Sequence, residues 1–113
     1  MNLERRTRVE IFLPIRLDSL EYKTVTEWLA EELAYIRGGS TLTTPFIGFY
    51  LSPTLGIVRD KVHVLFCDFY LDFENDQHHP ELAVYQDDLR LFLSEVLSEQ
   101  ELWITCQSVT RTV

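Results

Sequence analysis

A chain of 113 residues, 46% apolar and 25% charged with four glycines and four prolines, is long enough to bury one core and too short to divide into two. That composition excludes collagenous, low-complexity and disordered classes. The formal charge of −8 argues against DNA or RNA as a partner, because nonspecific affinity for a phosphate backbone comes from clustered Lys and Arg.

The hydrophobic periods run strand, helix, strand, strand, helix, strand. The first strand is Arg8 to Ile15, where Val9, Ile11, Leu13 and Ile15 alternate with Arg8, Glu10, Phe12 and Pro14 at a period of two. A helix is expected to open near Thr24, whose hydroxyl makes a capping box with Glu27, and to close at Gly38-Gly39 after Arg37. Its buried stripe is Val25, Trp28, Leu29, Leu33 and Ile36. The second strand, about Leu42 to Leu51, carries Pro45, which cannot donate to a ladder and so points to a sheet edge. Ser52 to Lys61, with Pro53 and Gly56, is expected to be a loop, and Val62 to Phe73 the most apolar strand of the four. The second helix starts at Pro80, with Leu82, Tyr85, Leu89, Phe92 and Val96 recurring at spacings of three and four. The last strand, Leu102 to about Val113, sends Leu102, Ile104 and Cys106 to one side and Trp103, Thr105, Gln107 and Val109 to the other.

This order predicts a single α+β domain over residues 1–113: a ferredoxin-like βαββαβ sandwich, a four-stranded antiparallel sheet with two helices on one face. Cys67 and Cys106 then sit on strands that flank the first, about 10 Å apart, too far for a disulfide, and are expected as buried free thiols. Neither belongs to a CxxC pair, so no metal or redox role has a spacing behind it. The N-terminal run Met1-Asn2-Leu3-Glu4-Arg5-Arg6 is not the apolar stretch of a signal peptide, and nowhere do eighteen apolar residues run together. A cytoplasmic location with no membrane partner is therefore expected.

Two helices cover one face of such a sheet, which leaves Phe12, Trp103 and one row of the third strand on the other. An apolar face of that size marks an interface or a ligand site. The expectation is a homodimer through the sheet, or a small-molecule pocket lined by Phe12, His63 and Trp103. The plainer alternative is that the N-terminal residues or the loop Ser52 to Lys61 fold across and cover it. His63 with Asp68, Asp72, Glu10 and Tyr50 are the groups that would make an acid and base set there.

No Lys or Arg occurs between Lys61 and Arg90, while Asp68, Asp72, Glu74, Asp76, Glu81, Asp87 and Asp88 all lie in that span. Within it, Asp76, His78 and His79 are the residue types a divalent metal needs. Charge balance is the competing explanation, because Arg5, Arg6, Arg8, Arg37 and Arg111 are expected at the same end of the sheet, and the helix dipole favours Asp76 and Glu81 near a helix start. No GxSxG, P-loop, HExxH or GxGxxG is present, and Gly38-Gly39 follows a helix, as a C-cap does, instead of preceding one as a phosphate cradle does.

Thr7-Arg8-Val9-Glu10-Ile11-Phe12-Leu13, Thr24-Val25-Thr26-Glu27-Trp28 with Glu31-Glu32, Ser40-Thr41-Leu42-Thr43 and Ile57-Val58-Arg59-Asp60-Lys61-Val62 resemble a family of small bacterial proteins of unknown function with a ferredoxin-like fold. That resemblance implies no activity and no cofactor. Nitrogen-regulatory PII proteins share the strand order but bind nucleotide with a long loop after the second strand, and Ser52 to Lys61 is shorter and lacks a basic phosphate-binding run. Dimeric α+β barrel proteins are similar in general style to Phe12, His63 and Trp103 without a specific motif. The function expected is a non-catalytic binding or assembly module that self-associates through its sheet face. The alternative is a dimeric α+β barrel enzyme or small-ligand-binding protein with a pocket on the sheet, distinguished by a closed pocket that holds His63 together with a carboxylate.

Overall fold

In the computed structural model, which describes residues 2–14, 20–97 and 103–112, the chain runs β1 (Leu3–Pro14), α1 (Leu20–Arg37), β2 (Thr41–Leu42), β3 (Phe46–Ser52), β4 (Gly56–Phe69), a 3-10 turn (Asp76–His78), α2 (His79–Leu97) and β5 (Trp103–Thr112). Ile15, Leu102 and Val113, assigned from the sequence to strand ends, lie outside the described residues. All pairings are antiparallel, with β1 between β4 and β5 and with β2 and β3 both on the far edge of β4. Among the described residues the sheet has five strands where four are expected, because the edge strand is broken at Pro45. Thr43 bridges the break: its amide donates to the Val64 carbonyl at 2.9 Å and its Oγ1 accepts from the Val64 amide at 2.8 Å.

The core lies on the face that carries Val9, Ile11 and Leu13 of β1 and Leu65, Cys67 and Phe69 of β4. Both helices pack there, α1 through Tyr22, Leu29 and Leu33 and α2 through Leu82, Leu89, Leu93 and Leu97. Cys67 and Cys106 both lie opposite Val9 in register, one on each side, and both are free. Burial pushes the Cys67 thiol up to about 11 and raises Cys106 as well, so neither is a ready nucleophile.

Both helices differ from their sequence-based outlines in phase. Helix α1 begins a turn before Thr24, whose Oγ1 donates back to the Leu20 carbonyl at 2.9 Å instead of capping. Starting earlier lets Tyr22 join Val25, Leu29 and Leu33 on one stripe, which turns Trp28 and Ile36 outward. In α2 the buried positions are Leu82, Leu89, Leu93 and Leu97, so Phe92 and Val96 sit at the margin. Trp28 and Phe92 meet each other there, ring centroids 5.8 Å apart, at an exposed seam between the helices.

The largest difference is the expected loop Ser52 to Lys61. Only Pro53, Thr54 and Leu55 turn; Ser52 Oγ accepts from the amides of Thr54 and Leu55, and Gly56 takes the left-handed φ of +75° that closes a short hairpin. Residues 57–61 then pair with Ile47 to Leu51. The polar run Arg59-Asp60-Lys61 looks like a loop by composition, yet in the ribbon its side chains point alternately to the two faces, where charged groups remain in reach of water. Among the described residues this part of β4 pairs with β3 alone, so a hairpin arm extends the molecule to 48 Å along its longest axis. The radius of gyration is 15.3 Å, above the about 13 Å of a compact chain near this length.

Candidate functional site

The register of β1 with its neighbours decides which side chains share the open face. Phe12 lies opposite Val64 on β4 and Trp103 on β5, so those three point away from the helices. Phe12 and Trp103 meet edge to face at a centroid distance of 6.5 Å. Tyr50 of β3 joins them, its ring 6.3 Å from Trp103 and nearly perpendicular to it. Such pairs contribute about 0.5–1.5 kcal/mol each beyond the area they bury. Gly48 makes the arrangement possible, because a Cβ there would fall 2.7 Å from two carbons of the Tyr50 ring. Val62 and Val64, on the same face, are buried, while Trp103 remains 59% exposed.

His63 is not part of this cluster, and here the sequence-based site is corrected. Its partner in register is Leu13, a core residue, so the imidazole is on the helix face, opposite Phe12 and Trp103. It stacks on Tyr22 at 6.1 Å and its Nε2 lies 3.3 Å from the Tyr22 hydroxyl. Burial lowers its pKa. Glu10 and Asp68, the carboxylates expected beside it, are on the other side of the sheet: Glu10 bonds Gln107, and Asp68 takes a two-pronged bond from Arg8 at 2.7 and 3.0 Å. Arg8 also lies over the Phe66 ring at 4.5 Å. The open face is thus aromatic at one end of β1 and charged at the other.

Asp76, His78 and His79 do not converge on a common point. The His78 Nδ1 accepts the Asp72 amide at 2.8 Å, inside a turn also closed by Asp72 Oδ1 on the Glu74 amide and Asn75 Oδ1 on the Gln77 amide. His79 uses Nε2 on the Phe73 carbonyl and has Nδ1 3.7 Å from Asp76. The two rings are therefore engaged with different partners, and no group of three His, Cys, Asp or Glu side chains able to hold a metal occurs among the described residues.

The arginines gather as charge balance requires. Arg5 pairs with Glu74 of the acidic turn, Arg8 with Asp68, and Glu4 receives both Arg6 and Arg111. Arg37, at the end of α1, lies instead over the rings of Phe69 and Tyr85, at 4.4 and 5.4 Å. Among the described residues no helix is long and apolar enough to cross a membrane.

No family model and no curated protein matches the chain. Among solved structures it is similar to CPII, a nitrogen regulatory PII-like protein from Thiomonas intermedia K12 bound to ADP, AMP and bicarbonate, with a TM-score of 0.51 over 99% of this chain and 100% of that one. The likeness is one of fold. At 12% identity it supports the ferredoxin-like architecture and transfers no residue. Where the sequence separates the chain from PII proteins by a short loop after the second strand, the structure has a hairpin arm at that place.

Proposed function

We propose that the chain is a non-catalytic binding module, a single cytoplasmic ferredoxin-like domain that self-associates as a homodimer through the aromatic end of its open sheet face. The observation that carries this is Trp103, more than half exposed on an aromatic cluster that neither helix covers. An exposed Trp braced by two further rings has the makeup of an interface anchor. Phe46 of β3 adds to it, since it lies opposite Val62 on the same face and is 42% exposed, whereas Phe49, Leu51 and Ile57 of the arm are exposed on the other side of the sheet. The enzyme alternative loses support because His63 faces away from Glu10 and Asp68.

A second reading, small-ligand binding, is favoured by the likeness to a PII-like protein that binds ADP, AMP and bicarbonate. One experiment addresses both. Native mass spectrometry of wild type and Trp103→Glu, each with and without ADP, AMP and bicarbonate, reports subunit number and bound mass. A wild-type dimer that becomes a folded monomer in Trp103→Glu supports the assembly reading. A wild-type monomer at micromolar concentration refutes it, and a nucleotide adduct on that monomer moves the function to ligand binding.

A further inference from the structure

The end of the sheet remote from Trp103 holds more guanidinium than its carboxylates use. A cavity of about 470 Å³ is lined by Arg6 of β1, Arg37 at the end of α1, Arg111 of β5, Asp68 of β4 and the turn 38–41. Asp68 is committed to Arg8 through both oxygens, and Glu4 is shared between Arg6 and Arg111. Among the described residues, Arg6, Arg8, Arg37 and Arg111 therefore meet only the carboxylates of Asp68 and Glu4 here, in a chain whose total charge is −8, while Glu81 and Asp88 line a neighbouring cavity with Arg37. Arg37 has no carboxylate partner among the described residues.

Three further observations point to a ligand. The Nε atoms of both Arg6 and Arg37 are buried with no hydrogen-bond partner, although leaving a buried donor unmatched is destabilising. The aromatic faces of Phe69 and Tyr85 hold the Arg37 guanidinium in place, which lowers the entropy lost when it grips an anion. Gly39, in the cavity wall, has no left-handed φ that would require glycine, and nothing lies within 4 Å of where its Cβ would be. The neighbouring Cys67 thiol, raised to about 11, stays neutral and adds no repulsion.

We propose that this cavity is an anion site that takes a small molecule through its phosphate group, gripped by Arg6, Arg37 and Arg111. Guanidiniums from three separate elements suit a tetrahedral group that offers oxygens in several directions, whereas a planar carboxylate offers two oxygens to one fork. A cavity of this size is in the range of small-molecule pockets. Arg6 and Phe12 are six residues apart on β1, about 20 Å, so the site is separate from the proposed association surface and does not depend on it.

The test is calorimetric titration at low ionic strength with inorganic phosphate, and in parallel with malonate. Wild type should bind one phosphate per chain. Arg37→Gln and Gly39→Asp should weaken that binding by about tenfold or more, the loss of a charged hydrogen bond or the gain of a repelling carboxylate. Gly39→Asp has room and an ordinary backbone conformation, so it separates lost binding from lost folding, which a thermal melt checks. Arg59→Gln, which removes the same charge from the arm, and Trp103→Glu should both bind phosphate as wild type does. No saturable phosphate binding, equal binding by Gly39→Asp, or tighter binding of malonate than of phosphate would each overturn the proposal.

Discussion

The two halves of β4 share one backbone conformation and have opposite fates. From Val62 to Phe69 the strand runs beside β1 with both helices over one face, and Leu65 is 0% exposed. From Gly56 to Lys61 it pairs, among the described residues, with β3 alone, and Ile57 is 68% exposed. In both halves successive side chains point to opposite faces, so the strand period sets which way a side chain points, while the elements stacked beside it decide whether that direction is inside.

Substitutions at the two positions should separate most widely. Leu65→Ala removes side-chain volume from a closed core and should cost about 2–5 kcal/mol. Ile57→Ala, on the arm, should change stability by less than about 0.5 kcal/mol. Urea unfolding measures both, and equal losses would mean that the arm is packed in solution.

A smaller contrast lies on the charged end of the open face. Arg8→Ala deletes the two-pronged bond to Asp68 and the contact with Phe66, both half-buried, and should cost about 1 kcal/mol. A loss no larger than that of an exposed pair such as Arg90 with Asp87 would show that solvent screens it.

The smallest effect concerns His63. Its folded pKa lies below the unfolded value of about 6.5, so the unfolded chain binds the proton more readily. The stability this group contributes is complete above pH 6.5 and declines as pH falls toward its folded pKa. His63→Gln should therefore lose less melting temperature between pH 7 and pH 5 than wild type. Parallel curves would place the imidazole in water instead of against Tyr22.

Much of the fold was legible in the sequence, for reasons that particular residues make plain. Val9, Ile11 and Leu13 mark β1 because a strand half-covered by helices must alternate. The gathering of basic residues also followed from strand order, and Arg6, Arg37 and Arg111 do line one cavity. The face of His63 was not legible, because Val62 to Phe69 is apolar in both phases and conceals its own parity. A usable signal existed in Asp68: pairing it with Arg8, on the Phe12 side of β1, puts Asp68, Phe66 and Val64 on the open face and His63 on the other.

The sequence by itself determined the order of elements, the antiparallel sheet, the free thiols and the charged end, since each depends on local period or on chain direction. The tertiary structure alone decided the phase of both helices, the break at Pro45, the arm built from residues 46–61 and the separation of His63 from Phe12 and Trp103. Those depend on register between strands distant in the chain, where a slip of one residue exchanges inside for outside.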